Sequence, residues 1–252
     1  MPTNSNALLV NFMIVGVQKA GTTALHHFLS RHPDIFMPAK KELHFFNQDR
    51  ETDWSAPDYA PYHQHFADAS GYPLRGEATP AYCFMPQAAA RIHAYNPAAR
   101  IILMLRDPVS RAHSQWRMEV TRGKEDLSFS QAIREGRQRE GYSRLHHSYV
   151  ERGFYLGQIQ RLHGLFGQDQ CLILLNDDLR DDLQGVLDRC WRFLGCDAGL
   201  APCLANSMIR PMESDPELAP ISAEDAAYLR RIYAADIAAT ARAIDRDLAH
   251  WL

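Results

Sequence analysis

The sequence predicts an α/β protein. Its centre is a parallel sheet of about four to five strands, flanked by helices in three layers and followed by a C-terminal helix. Three observations carry this. Short apolar runs, each ended by Gly, Pro or charge, alternate with segments of helical spacing. The runs are continuous rather than alternating, as strands buried on both faces require. No repeat, low-complexity tract or long linker divides the chain, so one domain over residues 1–252 is expected.

Taken in order, "ALLVNFMIVG" (Ala7–Gly16) is rich in β-branched residues and closes on Gly, which predicts a buried strand. "TALHHFLSRHP" follows, with Leu25, Phe28 and Leu29 at helical spacing and Pro33 as the stop. "DIFMPAKKELHFFNQD" reads as a loop with a short extended piece, and "LRGEATP" as a second strand stopped by Pro80. "RIILMLRDP" is the clearest strand, apolar from Ile101 to Leu105. Pro108 suits a first helical position, and Val109, Ala112, Trp116 and Val120 share a face. A surface helix is expected over Ser128–Glu140 and an amphipathic one over Phe154–Gly167. "QCLILLN" gives a fourth strand, and "LQGVLDRCWRFLG" a helix closed by Gly195. After a polar, Pro-containing stretch, Leu229, Tyr233, Ile237, Ala241, Ile244 and Leu248 mark a long final helix.

A net charge of −3 argues against a nucleic-acid or membrane-surface binder. No apolar stretch reaches the roughly 20 residues a transmembrane helix needs, and "MPTNSNALLVNF" lacks the basic flank and cleavage site of a secretion signal. The five cysteines are odd in number and have no metal-ligand spacing. Reduced thiols in a cytoplasmic protein without a metal are the expectation.

The chemistry begins at "GVQKAGTT", Gly16–Thr23. A strand, Gly-x4-Gly and a helix form the context of a phosphate loop. Helix N-terminal amides are unpaired and aligned with the helix dipole, so they favour an anion. The Walker pattern would place Lys at position 22, where Thr22 stands; Lys19 comes three positions early. No second-strand acid is suited to a metal either, since Asp107 directly follows Arg106. The loop therefore suits an anionic group held without a metal, by Lys19, the amides of Ala20, Gly21, Thr22 and Thr23, and the two threonine hydroxyls. "RDPVSRAHSQW" supplies a second anion site, with Arg106 at a strand's carboxyl end and Ser114 eight residues on. Two anion sites at adjacent strand ends point to a nucleotide phosphorylated at two places.

These motifs resemble the sulfotransferases that use 3′-phosphoadenosine 5′-phosphosulfate (PAPS). "VGVQKAGTT" is similar to their 5′-phosphosulfate loop and "RDPVSRAHSQW" to their 3′-phosphate motif. "KELHFF" (Lys41–Phe46) and "GEATPAY" (Gly76–Tyr82) resemble the heparan-sulfate-type branch, and "RGFYLGQIQRLHGLF" and "RCWRFLG" its scaffold, so the resemblance covers about residues 10 to 196. It implies a P-loop-like fold, PAPS as donor and adenosine 3′,5′-bisphosphate (PAP) as product. The displaced lysine then sits at the bridging oxygen and stabilises the leaving phosphate. Arg106 and Ser114 anchor the 3′-phosphate.

Transfer to an alcohol needs a proton acceptor. The resemblance assigns Glu42 as base, while His44 either orients Glu42, binds the acceptor or is the base itself. Tyr82 is a candidate for the acceptor site; Tyr155 and Arg210 are candidates for nucleotide contact. Two departures weaken the polysaccharide analogy. Ala78 stands where that branch has a lysine, and "LANSMIRPM" lacks its basic closing loop. The expected acceptor is thus a hydroxylated small metabolite, lipid or sugar rather than a long polyanion. A P-loop NTPase or kinase-like phosphotransferase and a non-catalytic nucleotide-binding module are the alternatives.

Overall fold

The computed structural model describes residues 9–49, 51–138, 141, 143, 144, 146–197 and 220–252. Strand β1 is Phe12–Gly16, α1 is Thr22–Leu29 and β2 is Ile35–Phe36. Next come α2 (Ala60–His63), β3 (Leu74–Ala78), α3 (Pro86–Tyr95), β4 (Arg100–Leu105), α4 (Pro108–Thr121) and α5 (Phe129–Arg134). The remainder is α6 (Leu156–Phe166), β5 (Cys171–Leu175), α7 (Asn176–Asp181), α8 (Leu183–Leu194) and α9 (Ala223–Ile244).

The strands form one parallel sheet in the order β2-β3-β1-β4-β5. Central β1 is buried along its whole length, which is why its sequence is apolar without alternation. β1 continues through α1 toward the β2 edge, whereas β4 continues through α4 toward the β5 edge. The chain therefore diverges at the carboxyl ends of β1 and β4. Such a divergence opens a crevice, and there an α/β sheet binds its ligand.

Packing on the flanks follows the sequence periodicity. α8 buries Leu183, Val186, Leu187, Cys190, Trp191 and Leu194 at three- and four-residue spacing. Each such side chain contributes roughly 1.5–3 kcal/mol. Asp182 caps its start at Gly185 N, and Gly195 ends it at φ 74°. α9 meets the segment before α6: Tyr233 OH donates to Val150 O at 2.8 Å, and Asp236 Oδ2 accepts from Tyr155 N at 2.7 Å.

Several elements differ from the sequence reading. The first strand, expected from Ala7, begins at Phe12 among the described residues. The helix expected over Ser128–Glu140 is Phe129–Arg134, and it buries Phe129, Ala132 and Ile133. α9 stops at Ile244, where Asp245 turns left-handed, so Leu248 is buried beyond the helix. α3 was not anticipated, although Ala88, Ala89, Ile92 and Tyr95 give it a buried face. Cys83, Cys171, Cys190 and Cys196 are free thiols; Cys203 lies outside the described residues. No described helix is long and apolar enough to cross a membrane.

Candidate active site

The loop between β1 and α1 is fastened to the crevice at both ends. Val17 N donates to Met104 O at 2.7 Å, and Asn176 Nδ2 donates to Ala20 O at 3.1 Å. Two glycines make the path possible. A Cβ on Gly16 would lie 2.1 Å from Cys83 Sγ. Gly21 has φ 91°, and a Cβ there would lie 2.8 Å from Asn176 Nδ2. Lys19 itself is left-handed, at φ 72°. A non-glycine residue held there by its surroundings is the kind of strain that clusters at functional sites.

α1 starts on Gly21, with no side-chain cap and no acid in its first turn. Helices α4, α5, α8 and α9 start on Asp or Ser side chains that accept their first amides, whereas α1, like α2, α3, α6 and α7, has no side-chain cap. The dipole of α1 favours an anion at its amide end. Thr22 is buried at this end and Thr23 is exposed.

Arg106 follows β4 across the crevice, and its Nη1 donates to Lys19 O at 2.9 Å. Its own carbonyl accepts from Tyr155 OH at 2.7 Å. Tyr155 is therefore a buried brace under Arg106, not a group presented to a nucleotide. Asp107 caps α4, accepting from Val109 N at 3.1 Å, Ser110 N at 3.2 Å and Ser110 Oγ at 2.5 Å. Both its oxygens are used within that turn. Ser110, Ser114 and Met118 stack at four-residue spacing along α4. Met118 Sδ lies 3.7 Å from Lys19 Nζ, so half-buried Ser114 is one helical turn from the lysine contact.

Burial lowers the Lys19 ammonium to about 8, and the charges of Arg122 and Arg106 add to this; Glu119 and Glu42 oppose it. Lys19, Arg106 and Glu42 thus share one electrostatic neighbourhood. Glu42 Oε2 lies 3.2 Å from His44 Nε2, and Glu42 Oε1 lies 3.4 Å from Lys41 Nζ. His44 Nδ1 is 3.2 Å from Asn47 Oδ1. Burial pushes the Glu42 carboxyl up, but the His44 hydrogen bond and the Lys41 charge outweigh it and hold it below the usual range. The Glu42 hydrogen bond raises His44 against its burial. The pairing thus favours the carboxylate of Glu42 and the imidazolium of His44 over their neutral forms.

Tyr82 differs from its expected place at an acceptor pocket. It is fully buried, and its hydroxyl accepts from Phe46 N at 3.4 Å. It supports the 45–47 turn within an aromatic cluster that includes Phe46, Tyr62 and Tyr95. Ala78 is buried on β3. Arg210 lies outside the described residues.

Sequence reasoning missed four groups here. Met118 and Arg122 follow Ser114 at four-residue spacing, a signal that was present. Glu119 is fully buried and lies 3.4 Å from His146 Nδ1. Arg152 is buried with its guanidinium 4.7 Å from the Phe84 ring centre, and burial lowers it to about 10. Its charge acts on Glu42, and nothing in the local sequence announces that.

Comparison with known proteins gives the class. The profile of the sulfotransferase domain matches residues 10–219. This chain belongs to the sulfotransferase family. It is 30% identical over 183 residues to human heparan sulfate glucosamine 3-O-sulfotransferase 3B1, covering 73% of this chain and 45% of that protein. It is 37% identical over 114 residues to the membrane-associated sulfotransferase kil1 of Dictyostelium discoideum, covering 44% of this chain and 23% of that one. The chain thus spans less than half the length of these relatives. A sulfotransferase from Alicyclobacillus acidocaldarius superposes with a TM-score of 0.83 at 32% identity, covering 97% of this chain and 99% of that chain.

Proposed function

We propose that the chain, acting as one domain, is a PAPS-dependent O-sulfotransferase whose acceptor is a hydroxylated metabolite, lipid or sugar. The observation that carries the reading is the Arg106–Lys19 link. It puts two cations and the uncapped end of α1 in one crevice, within electrostatic reach of an ionised Glu42. The residues present fit the donor. The α1 amides, Lys19 and Thr23 would hold its 5′-phosphosulfate, and Arg106 with Ser114 its 3′-phosphate. When bound, the donor supplies an activated sulfuryl group and departs as PAP.

The chain's own groups then have separate roles. Glu42 holds the proton of the acceptor hydroxyl, and His44, already hydrogen-bonded to it, fixes its orientation. Lys19 neutralises charge developing at the leaving phosphate. Because it sits in a partly dry crevice, that charge acts more strongly than it would in water. The commitment of Asp107 to the α4 cap disfavours the phosphotransferase alternative, which needs an acid for its metal there. The free thiols favour a reducing compartment, the cytoplasm.

Steady-state kinetics with PAPS and an acceptor panel test the donor assignment. Arg106→Ala should raise the donor KM by about ten- to a hundredfold, the worth of a charge-assisted hydrogen bond, with a smaller change in kcat. A large fall in kcat at unchanged KM would contradict the anchoring role.

A further inference from the structure

We propose that Glu77 is a positioning residue of this site. Buried on β3, it holds the His44 backbone through Thr79 and, when ionised, acts on the imidazole with its negative charge. The role in transfer rests on the sulfotransferase reading; the link from Glu77 to His44 does not.

Glu77 stands near the end of β3 and is 1% exposed. Its Oε1 accepts from Tyr62 OH at 3.3 Å and its Oε2 from Thr79 Oγ1 at 3.2 Å, and Tyr82 adds a further side-chain hydrogen bond. Thr79 Oγ1 also accepts from His44 N, at 3.4 Å. A hydroxyl has one proton and two lone pairs, so Thr79 can give its proton to Glu77 and receive that of His44 N. A continuous path therefore runs from a buried carboxyl to the backbone of the candidate catalytic pair. That backbone is itself unusual, since His44 is left-handed at φ 58° and needs outside support to remain there.

A stability role alone accounts poorly for an acid at this place. Burying a carboxyl among hydroxyls costs free energy that an amide or an apolar side chain would not. The titratable groups facing Glu77 come from every element around it. They are Tyr62 of α2, Tyr82 after β3, Tyr95 of α3, and Lys41 and His44 of the loop. The two cations among them are the neighbours of Glu42. Burial pushes the Glu77 carboxyl up to about 7, so its charge changes in the same pH range as that of an imidazole. As Glu77 ionises, it favours the imidazolium of His44 and thereby the carboxylate of Glu42.

The test compares wild type, Glu77→Gln and Thr79→Val. The His44 titration is read by NMR on histidine-labelled protein, with His44→Gln to assign the signal, and transfer is followed against pH. In Glu77→Gln the His44 midpoint should move down, and the pH profile of kcat should move with it. In Thr79→Val the same midpoint should move down and kcat should fall roughly tenfold or more, as a displaced catalytic group causes. A His44 midpoint in Glu77→Gln that superposes on wild type overturns the proposal, whatever the activity. If Glu77→Gln does not fold, Thr79→Val decides, and an unmoved midpoint with unchanged kcat overturns it. If wild type transfers no sulfate, the functional reading fails while the His44 titration still decides on Glu77.

Discussion

The crevice leaves Lys19 a weakened base, and ligand binding should reveal that as proton uptake. Its ammonium is lowered from 10.5 to about 8. A gap of that size corresponds to on the order of 3 kcal/mol favouring the neutral amine. Between about pH 8 and 10.5 the unfolded chain keeps this proton and the native site does not, so the contribution to stability rises with pH across that window. A bisphosphate seated at Lys19 reverses the balance by favouring the charged form. At pH 9 the free site is about 90% neutral, and binding PAP should draw in about 0.9 proton. The second ionisation of each phosphate is complete well below this pH, so the ligand adds little to the count. Calorimetric titration at pH 9 in two buffers of different ionisation enthalpy reads the number directly. Affinity should also fall toward tenfold per pH unit above about 8. Lys19→Met should remove both effects. Equal heats in the two buffers, or the same proton uptake in Lys19→Met, would refute the placement of the ligand against this amine.

Other expectations can be checked more briefly. Glu42→Gln should lower kcat by roughly a hundred- to ten-thousandfold, the range for loss of a general base, with the donor KM nearly unchanged. Removing the His44 hydrogen bond that lowers the Glu42 carboxyl, by His44→Gln, should move the acidic limb of the kcat profile to higher pH. Glu77 keeps its proton in the native state up to about 7, against 4.5 in the unfolded chain. Wild-type stability should therefore fall by about 3 kcal/mol as pH rises from about 4.5 to above 7. Glu77→Gln should flatten that slope in urea unfolding. Gly21→Ala forces a left-handed residue toward Asn176 and should cost roughly 1–2 kcal/mol in the same assay while weakening PAP binding.

The strands that were legible are those whose burial is complete. β1 and β4 are apolar at every inner position because both faces are covered, and such runs can be read without knowing their neighbours. The phosphate-type loop was legible because backbone geometry dictates its glycines, and Arg106 because it directly follows a clear strand. α3 was not, since alanines interspersed with Arg91 and His93 give little contrast between its faces. Tyr82 and Tyr155 are only candidates for ligand contact in the sequence, where a tyrosine at a strand end or loop looks as available to a ligand as to the core. Only the packed structure shows each hydroxyl spent on a backbone group. Glu77 and Arg152 show the converse. Local sequence marks them as ordinary charged residues, and their burial depends on contacts far away in the chain.

The most direct test uses radiolabelled PAPS, an acceptor panel and EDTA, with wild type and Lys19→Ala side by side. Wild type should form labelled ester in the presence of chelator, and Lys19→Ala should not. Transfer that depends on added Mg²⁺, or that persists undiminished without the Lys19 amine, would contradict metal-independent transfer assisted by Lys19.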